Sequence, residues 1–413
     1  MTAFQAPRGT HDVLPSNHAW WRLVRELEEL AALYGWRRIQ TPVFEDTALF
    51  ARTSGEGSDV VHKEMYTFTD RSDRSLTLRP EGTAPIARAY VEHGLHREPQ
   101  PVKAYTIAPM YRYGAPGRGR YREHWQWSVE AVGSADPAID AELLHLYVEL
   151  LRRVGVTEWE LRLNSIGDEH CRPAYVERLN AWLDAHPEAL DEDARHKRQT
   201  STLQVFDVKS PAVQAALADA PTIGESLCDA CREHFDAVKG HLDVLGVPYV
   251  VTPTLVRGLD YYTRTTFEFI GPDETANSTI CGGGRYDGLV EQVGGPPTPG
   301  IGFGAGLERL LLAIEREAEP PPAEPLDVVL VAEPDADRAT MVRLLAAIRS
   351  SGRSADMDYA GRSRKGQDKL AQRLKPRVVV VVGAADARIE RWGEPADYPV
   401  PLDDVVDRIS DRL

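Results

Sequence analysis

Between residues 102 and 132 the chain takes on a period of two and interrupts it once, at the loop Gly114-Ala115-Pro116-Gly117-Arg118-Gly119-Arg120. Two strand-like runs around such a loop make a long antiparallel hairpin, a unit that the rest of the fold must be built around. On the return run His124-Trp125-Gln126-Trp127-Ser128-Val129-Glu130, alternation puts Gln126, Ser128 and Glu130 on one face and Trp125, Trp127 and Val129 on the other. The polar face either meets water, as one face of an antiparallel sheet commonly does, or lines a pocket. The neighbouring loop favours the pocket. It sets Arg112, Arg118, Arg120 and Arg122 among glycines and small residues, a composition suited to close approach by phosphates.

Around the hairpin the chain mixes helices and strands. Residues 17 to 34 predict an amphipathic helix, with Trp20, Leu23, Val24, Leu27, Leu30, Ala31 and Tyr34 at helical spacing, Ser16 as its cap and Gly35 as its stop. A strand is expected from Arg38 to Phe44. Residues 138 to 154 and 172 to 186 read as helices, and the stretch from about 170 to 245 reads as a largely helical insertion. The segment Glu315 to Pro325, rich in proline and charge, is a semi-rigid linker and a domain boundary. Beyond it come an apolar run (Val328 to Ala332), a helix (Arg338 to Arg349), a short polar strand (Ala355 to Tyr359), a helix (Gly366 to Leu374) and the five valines Val378 to Val382. Unbroken apolar strands alternating with helices predict a small α/β domain with a mostly parallel sheet buried on both faces. The whole is an α+β chain with two domains, residues 1–320 and 326–413.

Two further segments carry chemistry. Leu255-Val256-Arg257-Gly258-Leu259-Asp260-Tyr261-Tyr262-Thr263-Arg264 places a forked cation and two phenols beside a flexible glycine, just before the strand-like run Thr265 to Ile270. Alone it reads equally as a strand edge with an Arg257–Asp260 surface ion pair. Strand parity separates Arg257 from Tyr262, so a turn or bulge at Gly258 is needed if both serve one pocket. Gly300-Ile301-Gly302-Phe303-Gly304-Ala305-Gly306 leaves one strand face without side chains, on which a flat ring such as adenine could lie, and Arg309 follows in the first helical turn. It also reads as close packing of a helix on a strand.

With 413 residues, 42% apolar and 27% charged, the composition is that of a soluble globular enzyme, and no stretch nears the roughly 18 apolar residues of a membrane helix. The start Met1 to Arg8 lacks the basic and apolar regions of a signal peptide, so a cytoplasmic location is expected. A net charge of −15 argues against indiscriminate coating of nucleic acid. A nucleic-acid partner would need local basic patches, and the 112–122 loop and the set Arg353, Arg362, Arg364, Lys365, Lys369, Arg373, Lys375 and Arg377 offer two. The four cysteines, at 171, 228, 231 and 281, are too few for a disulfide framework and are expected to be reduced. Cys228 and Cys231 with His234 have half the spacing of a zinc site. The other half would have to come from His170 and Cys171, and because such half-sites arise commonly by chance, no metal site is expected.

The hairpin, the Leu255 segment and the glycine strand, preceded by the helix-strand unit ending Thr41-Pro42-Val43, resemble in order the signature motifs of class II aminoacyl-tRNA synthetases. Thr77-Leu78-Arg79-Pro80-Glu81-Gly82-Thr83, Leu255 to Thr263, Arg8-Gly9-Thr10-His11-Asp12 and Cys281-Gly282-Gly283-Gly284-Arg285-Tyr286-Asp287-Gly288-Leu289 are similar to the histidyl-tRNA synthetase family in particular. The resemblance spans nearly the whole chain. It implies an antiparallel-sheet catalytic domain with a helical insertion, a C-terminal α/β anticodon-binding domain, and a homodimer. It also implies activation of L-histidine with ATP and Mg2+, followed by transfer to histidine tRNA, with no membrane involved. Arg112, Arg257 and Arg309 would act on the reacting groups, with Arg120, Gly302 and Gly304 also in the ATP site. Glu81, Thr83 and Gln126 would hold the α-amino group, Glu130 and Tyr262 would take the imidazole nitrogens, and Tyr261 and Tyr286 would complete the pocket.

One stretch departs from the family pattern. Where relatives carry a glutamate two residues after the hairpin arginine and then Arg-Pro-Gln, this chain has Gly114 to Gly117, so the adenine and acceptor-stem contacts are not carried over there. The alternatives are the catalytically silent paralogue that regulates ATP phosphoribosyltransferase, and a synthetase for glycine, threonine or proline. The three arginines and the C-terminal domain weigh against the first. Glu130 with the tyrosine pair weighs against the second.

Overall fold

The computed structural model describes residues 4–55, 60–208, 210–272, 279–317, 324–391 and 398–410. Met1 to Ala3 and linker residues 318 to 323, both read above from sequence, lie outside them. The chain divides into two compact units, Met1–Pro321 and Pro322–Leu413. Among the described residues no helix is long and apolar enough to cross a membrane.

The first helix, His18–Leu33, buries Trp20, Leu23, Leu27, Leu30 and Ala31 along one stripe. Its cap is Asn17 and not Ser16: the Asn17 side chain accepts from the Trp20 amide at 3.2 Å. The expected strand from 38 to 44 is two short ones, Arg37–Arg38 and Phe44–Asp46. Between them Pro42 has no amide to donate. The carbonyls of Thr41 and Pro42 accept from the buried Arg79 guanidinium at 2.9 and 3.3 Å, so they are spent on a side chain instead of a ladder.

The hairpin is observed as Val102–Tyr111 and Glu123–Val132, paired from Val102 opposite Val132 to Tyr111 opposite Glu123. It forms part of an eight-stranded sheet in the order 37–38, 102–111, 123–132, 300–306, 279–285, 263–270, 160–165 and 250–251. Helix Pro137–Val154 covers the apolar face and buries Leu143, Leu144, Leu146, Tyr147, Leu150 and Leu151 against Trp127, Val129, Phe269 and Phe303. Where that helix, the sheet and helix Asp229–Leu245 meet, Arg285 and Asp140 are both fully buried and paired at 2.7 Å. Arg285 Nε also donates to Asp140 Oδ2 at 3.0 Å, and the same oxygen accepts from Thr265 Oγ1 at 2.8 Å and contacts His234 Nε2 at 3.0 Å.

The stretch expected as one helical insertion splits between two cores. Its helices Arg172–Ala185, Glu192–Thr200 and Pro211–Ala216 bury Tyr175, Leu179, Leu183, Ala194 and Val213 in a cluster continuous with Tyr261, Tyr262 and Tyr286. The 229–245 helix instead sends Phe235, Val238 and Leu242 into the main core.

In the second unit a five-stranded sheet runs 355–357, 328–332, 378–382, 386–391, 400–401. The first three strands are parallel and the last two antiparallel. The valine run is buried on both faces, Val378, Val380 and Val382 on one and Val379 and Val381 on the other. Asp386–Arg391 is a strand that the apolar pattern does not reveal, because every second residue is charged and only Ala387 and Ile389 face the core.

Candidate active site

Register decides which residues share the floor of the large sheet, since directly opposed residues stand on one face. Glu130, Gly302, Gly284 and Thr266 form one row across four strands; Ser128, Gly304, Gly282 and Glu268 form the next. The intervening residues Trp127, Val129, Phe303, Phe267 and Phe269 belong to the core behind. Four glycines therefore pave the centre, with carboxylates at diagonally opposite corners. Each glycine makes room for a neighbour: a Cβ at Gly282 would lie 2.6 Å from Arg257 Nη2, one at Gly284 2.9 Å from Tyr262 Cδ1, and one at Gly304 2.5 Å from Gln126 Nε2. A Cβ at Gly302 would collide with the Glu130 carboxylate. The space expected for adenine over Gly302 and Gly304 is thus taken by pocket side chains. A Cβ at Gly306 would meet nothing within 4 Å, so the open floor lies there.

Glu130 is fully buried. Its carboxylate accepts from Tyr286 Oη at 2.6 Å and Thr83 Oγ1 at 2.7 Å. Burial pushes its pKa up to about 8, the negative Glu81 adds to this, and the Tyr286 and Thr83 hydroxyls oppose it. Tyr261 packs against Tyr262 with ring centroids 4.7 Å apart, and edge-on to Tyr286 at 6.0 Å. Glu81, also buried, accepts from the Thr83 and Ala84 amides at 2.6 and 2.8 Å and so ties down the first turn of helix Thr83–Glu92. Gln126 donates to Ser128 Oγ at 2.9 Å. Of the residues implied for histidine, Glu81, Thr83, Glu130 and Tyr286 are thus joined by hydrogen bonds, Tyr261 and Tyr262 pack beside them, and Tyr286 is the phenol on Glu130.

The cations gather at the other end of the floor. Arg257 lies over Gly282 and pairs with Glu268, while Asp260, its expected surface partner, accepts from Gln204 at 3.2 Å. Arg112 Nε donates to the Pro80 carbonyl at 2.8 Å. Arg309 donates to the carbonyls of Gly119 and Thr279 at 3.2 and 2.9 Å. Arg120 pairs with Glu64 at 3.2 Å. Burial, together with the positive Arg120 and Arg112, lowers the pKa of Arg309, and the negative Glu268 opposes this. His124, on the same strand face as Gln126 and Glu130, is pushed down to about 3 by burial, Arg112 and Arg309. It therefore stays neutral.

The turn needed between Arg257 and Tyr262 is present: the chain bends at Gly258 and Leu259 and turns through Asp260 and Tyr261. Residues 252 to 262 are irregular, the sheet register shifts between Gly284 and Arg285, and Arg264 has φ of +50°. Sequence reading missed Glu268 and His124. Both carried a signal: Glu268 is a lone charge between Phe267 and Phe269, and His124 begins the polar row of its strand.

The histidyl-tRNA synthetase family model matches residues 9–310. A histidine–tRNA ligase of Moorella thermoacetica is 47% identical over 97% of this chain and 96% of its own. The chain belongs to the histidyl-tRNA synthetase family. A histidine–tRNA ligase of Rhodococcus erythropolis is 46% identical over 100% of this chain and 99% of its own. The crystal structure of an apo histidyl-tRNA synthetase of S. aureus superposes with a TM-score of 0.82 at 37% identity, covering 98% and 100% of the two chains. A Bacillus halodurans chain described as an ATP phosphoribosyltransferase regulatory subunit/histidyl-tRNA synthetase shares the fold alone, at a TM-score of 0.65 and 22% identity. Membership of the histidyl-tRNA synthetase family makes this chain an aminoacyl-tRNA synthetase with the α+β fold of class II, and the glycine-paved floor belongs to that class of ligase.

Glu130 gives the pocket a pH signature. The unfolded chain ionises this carboxyl near 4.3, whereas the folded protein holds its proton up to about 8. The associated stability is fully present below the first value and is lost as pH rises to the second. Its limiting slope is about 1.4 kcal/mol per pH unit. Glu130→Gln should remove this slope, which urea midpoints of both proteins across the interval would reveal; parallel profiles would acquit Glu130.

Proposed function

We infer that the floor activates L-histidine by in-line attack of its carboxylate on the α-phosphorus of ATP, forming histidyl-adenylate and pyrophosphate. The observation that carries this reading is the joining of two unlike ends on one glycine-paved surface. A buried carboxylate with tyrosines stands at one, and Arg257, Arg112, Arg309 and Arg120 at the other. About five negative charges must converge as the reactants meet, so the rate depends on fixed cations and alignment more than on proton transfer. Arg257 would hold the reacting carboxylate and α-phosphate together, Arg112 the α-phosphate and Arg309 the γ-phosphate. Adenine would lie beside Gly306.

Mg2+ would arrive with the triphosphate. Among the described residues Glu268 is the acidic group that acts on both Arg257 and Arg309, and it also accepts from Thr279 Oγ1 at 3.4 Å, so these residues fit a phosphate-borne ion with few protein oxygens.

Selectivity would follow from imidazole. Its nitrogens need two polar partners, Glu130 and Tyr262, while the α-amino group faces Glu81, Thr83 and Gln126. An amino acid without those nitrogens leaves buried polar groups unpaired, a penalty of about 10⁴-fold or more in comparable sites. Histidine would then pass to the 3′ end of histidine tRNA, with the 114–122 loop near the acceptor end and the basic residues of the second unit at the anticodon. Cytoplasmic location accords with this.

We also propose a homodimer. Phe44 and Phe68, on the three-stranded sheet formed by Phe44–Asp46, Tyr66–Thr69 and Ser75–Leu78, and Val43 just before it expose large apolar side chains, as an interface would. Light scattering at micromolar concentration should give twice the chain mass, and a monomeric mass would contradict it.

ATP–pyrophosphate exchange with each of the twenty amino acids, without tRNA, tests the activation. Exchange with histidine alone is expected. Histidine binding without exchange would favour the regulatory paralogue.

A further inference from the structure

Three thiols and one carboxylate converge outside the active site. Strand Glu160–Ser165 ends in a turn at Gly167, whose φ is +64°, and that turn presents Asp168 and Cys171; Cys228 and Cys231 stand at the N-terminus of the 229–245 helix. One ligand atom from each of the four residues lies within 4.8 Å of all the others. The spacing repeats: Asp168-x-x-Cys171 is matched by Cys228-x-x-Cys231. This supplies the second half of the zinc pattern that sequence reading sought in His170 and Cys171. His170 is exposed, and His234 is bound to Asp140.

Three of the six distances between ligand atoms are close to those of a tetrahedron. Zinc bonds of about 2.3 Å to sulfur and about 2.0 Å to oxygen place sulfurs about 3.8 Å apart and sulfur and oxygen about 3.5 Å apart. Cys171 Sγ and Cys231 Sγ are 3.9 Å apart, Asp168 Oδ1 is 3.5 Å from Cys171 Sγ and 3.9 Å from Cys228 Sγ. The surroundings suit an anionic cage. The Asp168 amide points at Cys171 Sγ from 3.4 Å, the His170 amide donates to Asp168 Oδ1 at 3.0 Å, and Arg264 stands 3.4 Å from Asp168 Oδ2. Arg172 lies in the field of Asp168, Cys171 and Cys231, so two arginines offset the charge that four anionic ligands leave on a divalent ion. A Cβ at Gly167 would lie 2.6 Å from Cys171 Sγ, so only glycine fits the turn behind the cage.

We propose that Asp168, Cys171, Cys228 and Cys231 bind one structural Zn2+. The ion would close both ends of the helical stretch onto the main sheet. It would also brace the tyrosine segment: Arg172 donates to the Tyr262 carbonyl at 2.7 Å, and the Arg264 amide donates to the Gly167 carbonyl at 2.7 Å. The metal site stands independently of the proposed histidine pocket, and only this bracing rests on that reading.

The test is metal content of the full chain purified without chelator from zinc-containing medium, together with titration of the zinc-stripped chain with Co2+. About one zinc per chain and the intense visible absorption of thiolate-bound tetrahedral cobalt are expected. Cys228→Ser/Cys231→Ser should abolish both, Asp168→Cys should retain both, and His170→Ala should change neither. The wild-type titration needs no variant to fold. Absence of zinc and cobalt binding, or a Cys171–Cys231 disulfide in the freshly purified protein, would overturn the site. Bracing predicts that the double serine variant raises KM for histidine several-fold with KM for ATP unchanged; equal KM values for histidine in the two proteins would refute the bracing and leave the metal site standing.

Discussion

Arg257→Ala should lower histidine-dependent ATP–pyrophosphate exchange by about 10²–10³-fold, or about 2.7–4 kcal/mol of transition-state stabilisation, the effect of deleting one fixed donor to developing negative charge. The loss should fall mainly on kcat, because in the proposed mechanism the guanidinium would meet the carboxylate and α-phosphate most closely as they react. Removing Arg257 also leaves its partner Glu268 without that cation, and at the proposed phosphate site its negative charge would oppose ATP. Arg257→Ala/Glu268→Gln separates the two effects. If Glu268 repulsion dominates, the double variant recovers most of the rate; if the missing cation dominates, it recovers little. An unchanged turnover number in the single variant would remove Arg257 from the mechanism.

The largest stability effect should come from Arg285→Met. It leaves Asp140 fully buried with His234 and Thr265 as its remaining side-chain partners, and breaking one side of a buried ion pair costs about 3–5 kcal/mol. Methionine keeps much of the volume, so the loss reports charge more than a cavity. Arg285→Met/Asp140→Leu should restore a large part of it, since the apolar replacement removes the fully buried carboxylate, while Asp287, the partly exposed second partner of Arg285 at 3.1 Å, loses the arginine in both variants. Urea unfolding of the single and double variants checks both statements. A single variant within about 0.5 kcal/mol of the parent, the range of ordinary surface substitutions, would show that the pair is not needed. Arg285 directly precedes Tyr286, so partial loss of histidine affinity should accompany the loss of stability.

Legibility of this protein from sequence follows the range of the forces concerned. Alternation from His124 to Glu130 placed Glu130 and Gln126 on one face because side-chain direction along a strand depends only on residue parity. The glycine strand and Arg309 in the turn after it were visible for the same local reason. The C-terminal strand Asp386–Arg391 was not, because its core face rests on just two small or medium apolar residues.

Composition, periodicity and motif order by themselves determined the class of fold and the family resemblance, and strand parity put Gln126, Ser128 and Glu130 on one face, but the sequence reading did not single out Thr266 or Glu268. Tertiary structure alone decided how those side chains meet. Cross-strand register put Gly282 and Gly284 in line with Gly304 and Gly302, the bend and turn through residues 258 to 261 brought Arg257 and Tyr262 over them, and chain return across sixty residues set Cys231 against Cys171. None of these is fixed by neighbours in the chain. They depend on which strand lies beside which and on where an irregular segment spends its turns, and both follow from packing the whole domain at once.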